Sequence, residues 1–254
     1  MKINPEITQE FVAEARRKAK TGSYQVRVAF ADTEIPIIVF PEVFPPKSAH
    51  SASSRAVYES FGNLCCKEVA DIGSGTGILA IVAALCGADH VDATEVNETA
   101  VACTRYNVLT NGMEDKVSVY QGSLFEPLPE GKRYDLVIAN LPIVNFSPKN
   151  ESGITKALYD PDFALRRSML IAARSHLNSK GIVMFTFANL QSGKTGSPED
   201  DFDALEKLLW ECGYMILKTD EYADLGYSWR NYQIVLRSSC VCVKDTDGSP
   251  VFLF

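Results

Sequence analysis

Short apolar runs alternate with longer amphipathic stretches over most of this chain, most regularly between residues 69 and 121. Val69-Ala70-Asp71-Ile72 has strand length; Gly73-Ser74-Gly75-Thr76-Gly77 follows, and then an apolar run of helical length over 78–86 that Gly87 stops. A buried strand, a tight turn and a helix account for that order, because glycine permits the positive φ of a turn and a C′ glycine ends a helix. Residues 90–95 read as a second strand ending in Glu95. Asn97 is an N-cap, and the helix it opens runs over 98–110 until Asn111-Gly112 closes it. Further strands are expected at 117–121, 134–139 and 182–187. Before the last of these, Asp160-Pro161 supplies an N-cap and a first-turn proline, and Leu165, Met169, Leu170, Ala173 and Leu177 mark one helix stripe. Ser197-Pro198-Glu199-Asp200 opens another helix that closes at Cys212-Gly213, and 215–219 and 232–236 are close enough to pair antiparallel.

The first sixty residues and the last sixteen break this alternation. Ile7, Phe11, Val12 and Ala15 lie on one side of a helix over 5–20, and apolar runs at 23–30 and 35–40 flank Ala31-Asp32-Thr33-Glu34 as a hairpin. Prolines at 41, 45 and 46 interrupt the chain, a small polar linker spans 50–54, and a helix resumes over 55–61. The tail's two apolar runs around Asp245-Thr246-Asp247-Gly248 read as a final hairpin. The expected architecture is α/β, a Rossmann-like, seven-stranded, mostly parallel sheet with helices on both faces. Residues 1–62 form a helix-and-hairpin cap, 63–238 the ligand-binding catalytic domain and 239–254 the tail.

Composition narrows the function classes. At 254 residues and 46% apolar, the chain suffices for one domain with a small appendage. A net charge of −7 disfavours a broad nucleic-acid surface, and the basic run over 16–20 reads as a solvated helix face. No apolar run has membrane-spanning length, and Met1-Lys2-Ile3-Asn4-Pro5 lacks the apolar region of a signal peptide. Seven cysteines without a CxxC pair, most of them in apolar runs, imply buried, reduced thiols and a cytoplasmic location. No metal site is expected, since neither Cys65-Cys66 nor Cys240-Val241-Cys242 has a histidine nearby.

The chemistry concentrates after the first strand. A dinucleotide turn holds a pyrophosphate on helix-end N–H groups, and a carboxylate such as Asp71 beside it would repel that anion. An acid there suits a ligand with a cation or an amine. Glu95, at the end of the next strand, stands where a carboxylate accepts hydrogen bonds from ribose hydroxyls. With its acid-x-Gly-x-Gly-x-Gly pattern, the chain resembles the class I S-adenosylmethionine-dependent methyltransferases. The resemblance implies S-adenosyl-L-methionine as cofactor, bound by Asp71, the turn residues Gly73, Ser74, Gly75 and Gly77, and Glu95 with its neighbour Asn97. It also implies that Val96 and Leu124 sandwich the adenine, with Ser123 where the family places an acid that reads the adenine amino group.

Asn140-Leu141-Pro142-Ile143, after the fourth strand, resembles the Asn-Pro-Pro-aromatic motif of enzymes that methylate planar nitrogens. These include the release-factor glutamine methyltransferases, whose flanking sequence is similar to 122–129 and 134–139, and methyltransferases of ribosomal RNA guanine and DNA adenine. The resemblance spans roughly 69–236. It implies that the Asn140 side-chain oxygen and the next backbone carbonyl accept the hydrogens of the target NH₂, and that Asn140 also lies beside the cofactor. Leu141 and Ile143 replace the first proline and the aromatic ring, so a stacking partner would come from Phe146. Pro142 and Tyr159 belong to the acceptor pocket, Phe44 and Ser51 to the cap that closes over the methionine half of the cofactor, and His50 reads as a candidate base or a solvated loop histidine. The implied reaction is methyl transfer to a nitrogen of a small molecule or a protein side chain. Three alternatives stand beside it: cyclisation of the cofactor to azetidine-2-carboxylate and methylthioadenosine, methylation of a nucleic-acid base, and cofactor binding without catalysis.

Overall fold

A computed structural model of the chain describes residues 13, 17, 22–46, 53–145, 147, 157–189, 200–224, 227–244 and 250–253. Strands β1 (Tyr24–Phe30) and β2 (Thr33–Val39) form the expected hairpin, turning on Ala31-Asp32 with Phe30 opposite Thr33. Helix α1 (Ser53–Glu59) follows, two residues earlier at both ends than the pattern indicates. Then come β3 (Glu68–Ile72), α2 (Ile78–Leu85), β4 (His90–Glu95), α3 (Glu98–Thr110), β5 (Val117–Gln121) and β6 (Tyr134–Ile138). The chain continues through α4 (Ala164–Ala173), β7 (Leu177–Ala188), α5 (Asp200–Glu211), β8 (Tyr214–Asp224) and β9 (Tyr227–Leu236). Strands β10 (Val241–Lys244) and β11 (Pro250–Leu253) pair antiparallel as the tail hairpin.

Seven strands form one sheet in the order β5-β4-β3-β6-β7-β9-β8, parallel except for β9, which runs against both of its neighbours. Residues alternate between two cores. Val69, Val91, Leu136, Ile138 and Met184 face the side covered by α2 and the hairpin residues Val28, Ile35, Ile37 and Val39. Ala70, Ile72, Val137, Val183, Phe185 and Phe187 face the side covered by α4 and α5. A sheet covered on both faces explains why these strands read as apolar runs rather than as apolar–polar alternation.

Several expectations need correction. Leu177 begins β7 opposite Tyr134 and does not belong to the helix stripe. Pro161 lies in a 3-10 turn with Asp162 and Phe163 both at φ 54, and α4 starts only at Ala164. The Asp160 carboxylate still caps that helix, accepting from the N–H groups of Leu165 (2.8 Å) and Arg166 (3.1 Å). Leu165 is exposed, and the buried stripe is Arg166, Met169, Leu170 and Ala173. The phase is the expected one at Met169, Leu170 and Ala173, and the stripe differs only in its first turn, where a charged side chain faces the core. Of the cysteines described, only Cys103 and Cys212 are buried; Cys65 and Cys66 are exposed, and all six are free. The predicted helix over 5–20 lies outside the described residues apart from Ala13 and Arg17, which are helical and exposed, and 197–199 lie outside them as well. Among the described residues no helix is long and apolar enough to cross a membrane, and no cluster of metal-ligating side chains occurs.

Candidate active site

Two buried acids on adjacent strands show which end of the sheet is built for a ligand. Asp92 on β4 is satisfied, accepting from Tyr134 Oη (2.8 Å), pairing with Lys132 Nζ (2.8 Å) and meeting His90 Nε2 (3.1 Å). Asp71 on β3 is equally buried, yet neither of its carboxylate oxygens makes a well-formed hydrogen bond, the Ala80 backbone N–H acting on it only weakly. Burial pushes the Asp71 carboxyl up to about 7, with the Ala80 backbone N–H drawing it down and the Glu95 charge adding to the rise. An unpartnered buried carboxylate is costly unless a ligand completes it.

The glycine turn lies directly after Asp71. Gly73, Gly75 and Gly77 have φ of 78, 58 and 81°. The Thr94 carbonyl accepts from the N–H groups of Gly73 (2.9 Å) and Ser74 (3.0 Å), pinning the turn to the end of β4. Thr104 on α3 donates to the Gly75 carbonyl (2.9 Å) and shares a hydrogen bond with Ser74 Oγ (3.1 Å). A Cβ on Gly77 would lie 2.9 Å from Thr104 Cγ2, whereas one on Gly75 would meet nothing within 4 Å. Gly77 is therefore needed for packing, and Gly75 keeps an open space over the backbone. Glu95 accepts from Gly75 N–H (3.1 Å) and Asn97 N–H (2.9 Å), so it stands over the same turn. The Asn97 side chain is occupied as the cap of α3, on Thr99 and Ala100. Val96 is 69% exposed beside Glu95. The Gly122 N–H donates to the Glu95 carbonyl (3.0 Å), which brings in exposed Ser123 and half-buried Leu124, the latter in the left-handed region at φ 50.

The second half of the site follows β6. The Asn140 Nδ2 donates to Ser53 Oγ (3.2 Å) and Ser54 Oγ (3.1 Å) at the start of α1. Leu141 is buried and packs on the turn, its Cδ2 3.4 Å from where a Gly73 Cβ would stand, which accounts for an aliphatic residue at that place. The Pro142 carbonyl accepts from Arg166 Nη2 (3.2 Å). Val144 and Tyr159 form a bridge flanked by Val144 N–H to Leu158 (3.0 Å) and Asp160 N–H to Val144 (2.9 Å), so the Tyr159 segment joins this loop. Burial raises the Tyr159 phenol above its ordinary value. Ile143 packs against the α4/α5-side core and Phe44 is half-buried; His50, Ser51 and Phe146 lie outside the described residues. Sequence reasoning missed Ser53, Ser54 and Arg166. The serines fell in a stretch read as linker, and nothing local marks Arg166.

A family model described as ribosomal protein L11 methyltransferase (PrmA) matches residues 57–153, which hold the glycine turn and the Asn140 loop. The ribosomal protein L11 methyltransferase of Desulforamulus reducens is 44% identical over 75 residues, 30% of this chain and 24% of that protein. The ribosomal protein uL3 glutamine methyltransferase of Burkholderia pseudomallei is 30% identical over 158 residues, 56% of this chain and 50% of that protein. The chain thus spans between a quarter and a half of the length of these relatives. Among solved structures, the T. thermophilus 16S rRNA N2 G1207 methyltransferase, in complex with AdoMet and guanosine, superposes with a TM-score of 0.57 at 18% identity, covering 83% of this chain and 50% of that one. The chain has the fold of the class I S-adenosylmethionine-dependent methyltransferases. The methyltransferase order of strands also explains where the residues above converge: ligands in open α/β sheets lie beyond the carboxyl ends of the strands, at the reversal of strand order, here between β3 and β6.

Proposed function

We propose that this chain moves the methyl group of S-adenosylmethionine to an amide or amine nitrogen of a protein side chain. The single observation that carries this reading is the state of Asn140. One end of its amide is committed to two serine hydroxyls, and with the nitrogen as that end the side-chain oxygen is left to accept an N–H. The names of the curated relatives, methyltransferases of ribosomal proteins L11 and uL3, support a protein acceptor over a base, a small molecule or attack within the cofactor.

The residues present fit the cofactor. Asp71 sets a buried carboxylate beneath the turn that favours a cationic amino group, Gly75 leaves its backbone uncovered, and Glu95 has lone pairs beyond the two backbone bonds it accepts. Val96, Ser123 and Leu124 border the adenine side. When bound, the cofactor supplies an electrophilic methyl on a sulfonium that is its own leaving group. The chain's contribution is then alignment and exclusion of water. Asn140 Oδ1 and the Leu141 carbonyl hold the hydrogens of the acceptor NH₂ and turn its lone pair toward the methyl, with Tyr159 and Pro142 forming the wall of the pocket.

The test incubates the chain with methyl-labelled S-adenosylmethionine and purified ribosomal proteins L11 and uL3, following label and S-adenosylhomocysteine. Asn140→Ala should lower turnover about 10²-fold or more while cofactor affinity changes little, as expected for lost orientation. Methylthioadenosine formed without acceptor would replace the proposal with cyclisation, and normal turnover in Asn140→Ala would make the loop structural.

A further inference from the structure

Arg166 occupies a core position of α4 and is 0% exposed. Its guanidinium lies over the rings of Phe185 (4.9 Å to the centroid) and Phe187 (5.4 Å) on β7. No carboxylate pairs with it: the Asp160 side chain accepts the Arg166 backbone N–H instead. Its one hydrogen bond from the side chain goes to the Pro142 carbonyl, and Nε and Nη1 have no partner. Burial lowers its pKa to about 10, with the Asp160 carboxylate and the Tyr232 phenol opposing, so the group is still a cation at neutral pH. A buried cation that no carboxylate hydrogen-bonds, with Asp160 acting on it only through its charge, is a poor stabilising device, because an apolar side chain of similar size would fill the space without desolvating a charge. Its presence calls for another reason, and its single polar contact names one.

We infer that Arg166 is a positioning residue for the acceptor loop, holding the Pro142 carbonyl from behind and so fixing where Asn140 Oδ1 and the Leu141 carbonyl point. This rests on the reading of residues 140–143 as the acceptor loop. Residues 140–142 are each held from a different element: Asn140 on Ser53 and Ser54, Leu141 on Gly73, and Pro142 on Arg166. The first two lie on the cofactor side. Arg166 gives the loop a side-chain hydrogen bond from α4, beside the Val144–Asp160 backbone pairing and the packing of Ile143, and its planar guanidinium stands over the aromatic face of β7. Lysine would keep the charge and one donor but not that plane. Methionine would keep the volume and lose the carbonyl contact.

Hydrogen exchange read by mass spectrometry on the full chain, saturated with S-adenosylhomocysteine, separates a positioning role from a packing role. In Arg166→Met, exchange should be at least about tenfold faster within residues 139–145, where Ala139 N–H donates to Met184 (3.1 Å) and Val144 N–H to Leu158 (3.0 Å). The thermal midpoint should be unchanged or higher, and S-adenosylhomocysteine affinity should stay within about twofold. Arg166→Lys should recover part of the protection. Unchanged exchange in 139–145 overturns the inference. So does faster exchange spread evenly over β6, β7 and α4 with a lower midpoint, or loss of folded protein in both variants, since each describes an ordinary core residue. Failure of the wild type to bind S-adenosylhomocysteine would instead count against the cofactor reading, and the unliganded chain would still report on the loop.

Discussion

At the residue scale, Asp71 determines how the site responds to pH. Its carboxyl titrates near 7 in the folded chain against an ordinary 3.8. Between those values the folded state holds a proton that the unfolded state has lost, so stability falls as pH rises through the interval and is flat above it. At about 1.4 kcal/mol per pH unit this amounts to an upper bound on the order of 4 kcal/mol. Thermal unfolding of the unliganded chain should show Asp71→Asn gaining on the wild type from pH 4 to 7, with no further gain above. A cationic ligand reverses the balance, because it favours the carboxylate. Calorimetry should therefore find S-adenosylmethionine affinity rising with pH, by at most tenfold per unit, until about pH 7. In Asp71→Asn that rise should vanish. An affinity flat from pH 5 to 7 in the wild type would remove Asp71 from the cofactor site.

At the scale of elements, the glycine turn makes two demands that two substitutions separate. Gly77→Ala drives a Cβ to 2.9 Å from Thr104 and adds strain at φ 81, so it should unfold the β3–α2 junction at a cost of roughly 2–4 kcal/mol. Gly75→Ala meets open space, so its cost should be about 1 kcal/mol of backbone strain. That added methyl stands where the backbone was left bare, and S-adenosylhomocysteine affinity should drop at least tenfold. Equal loss of binding and stability in both variants would deny Gly75 a separate role. The same contrast explains what the sequence revealed. Elements with local punctuation read cleanly: β4, α3 and β5 have the expected boundaries because Asn97, Asn111 and Gly112 mark them. The start of helix α4 was misread because two left-handed residues after Pro161 delay it to Ala164, and apolar Leu165 masked the buried position of Arg166. Asp71, Glu95 and the glycines were visible because twenty-five residues of chain carry them. Ser53 and Ser54 meet Asn140 from 87 and 86 residues away, and no local pattern encodes that approach.

At the scale of the whole molecule, the question is whether the N-terminal hairpin takes part in the site or merely rests on the domain. Asn107 on α3 is 0% exposed and joins the two: its Oδ1 accepts Ile38 N–H (2.8 Å), and its Nδ2 donates to the carbonyls of Ile38 (2.8 Å) and Thr76 (3.0 Å). One side chain thus fastens β2 to the turn that carries Gly75. Asn111 Nδ2 to the Pro36 carbonyl (3.0 Å) adds a second tie further along the strand. Asn107→Leu preserves volume but strands those backbone groups, so stability should fall by on the order of 3 kcal/mol. If hairpin and turn act as one unit, the variant should also lose S-adenosylhomocysteine affinity, and hydrogen exchange should quicken in β2 and in residues 73–77 together. Quicker exchange in β2 with the turn and the affinity unchanged would make the hairpin a passenger. Correlated loss would instead make it a wall of the cofactor site, one that transmits whatever binds its outer face to the glycine turn through a single amide.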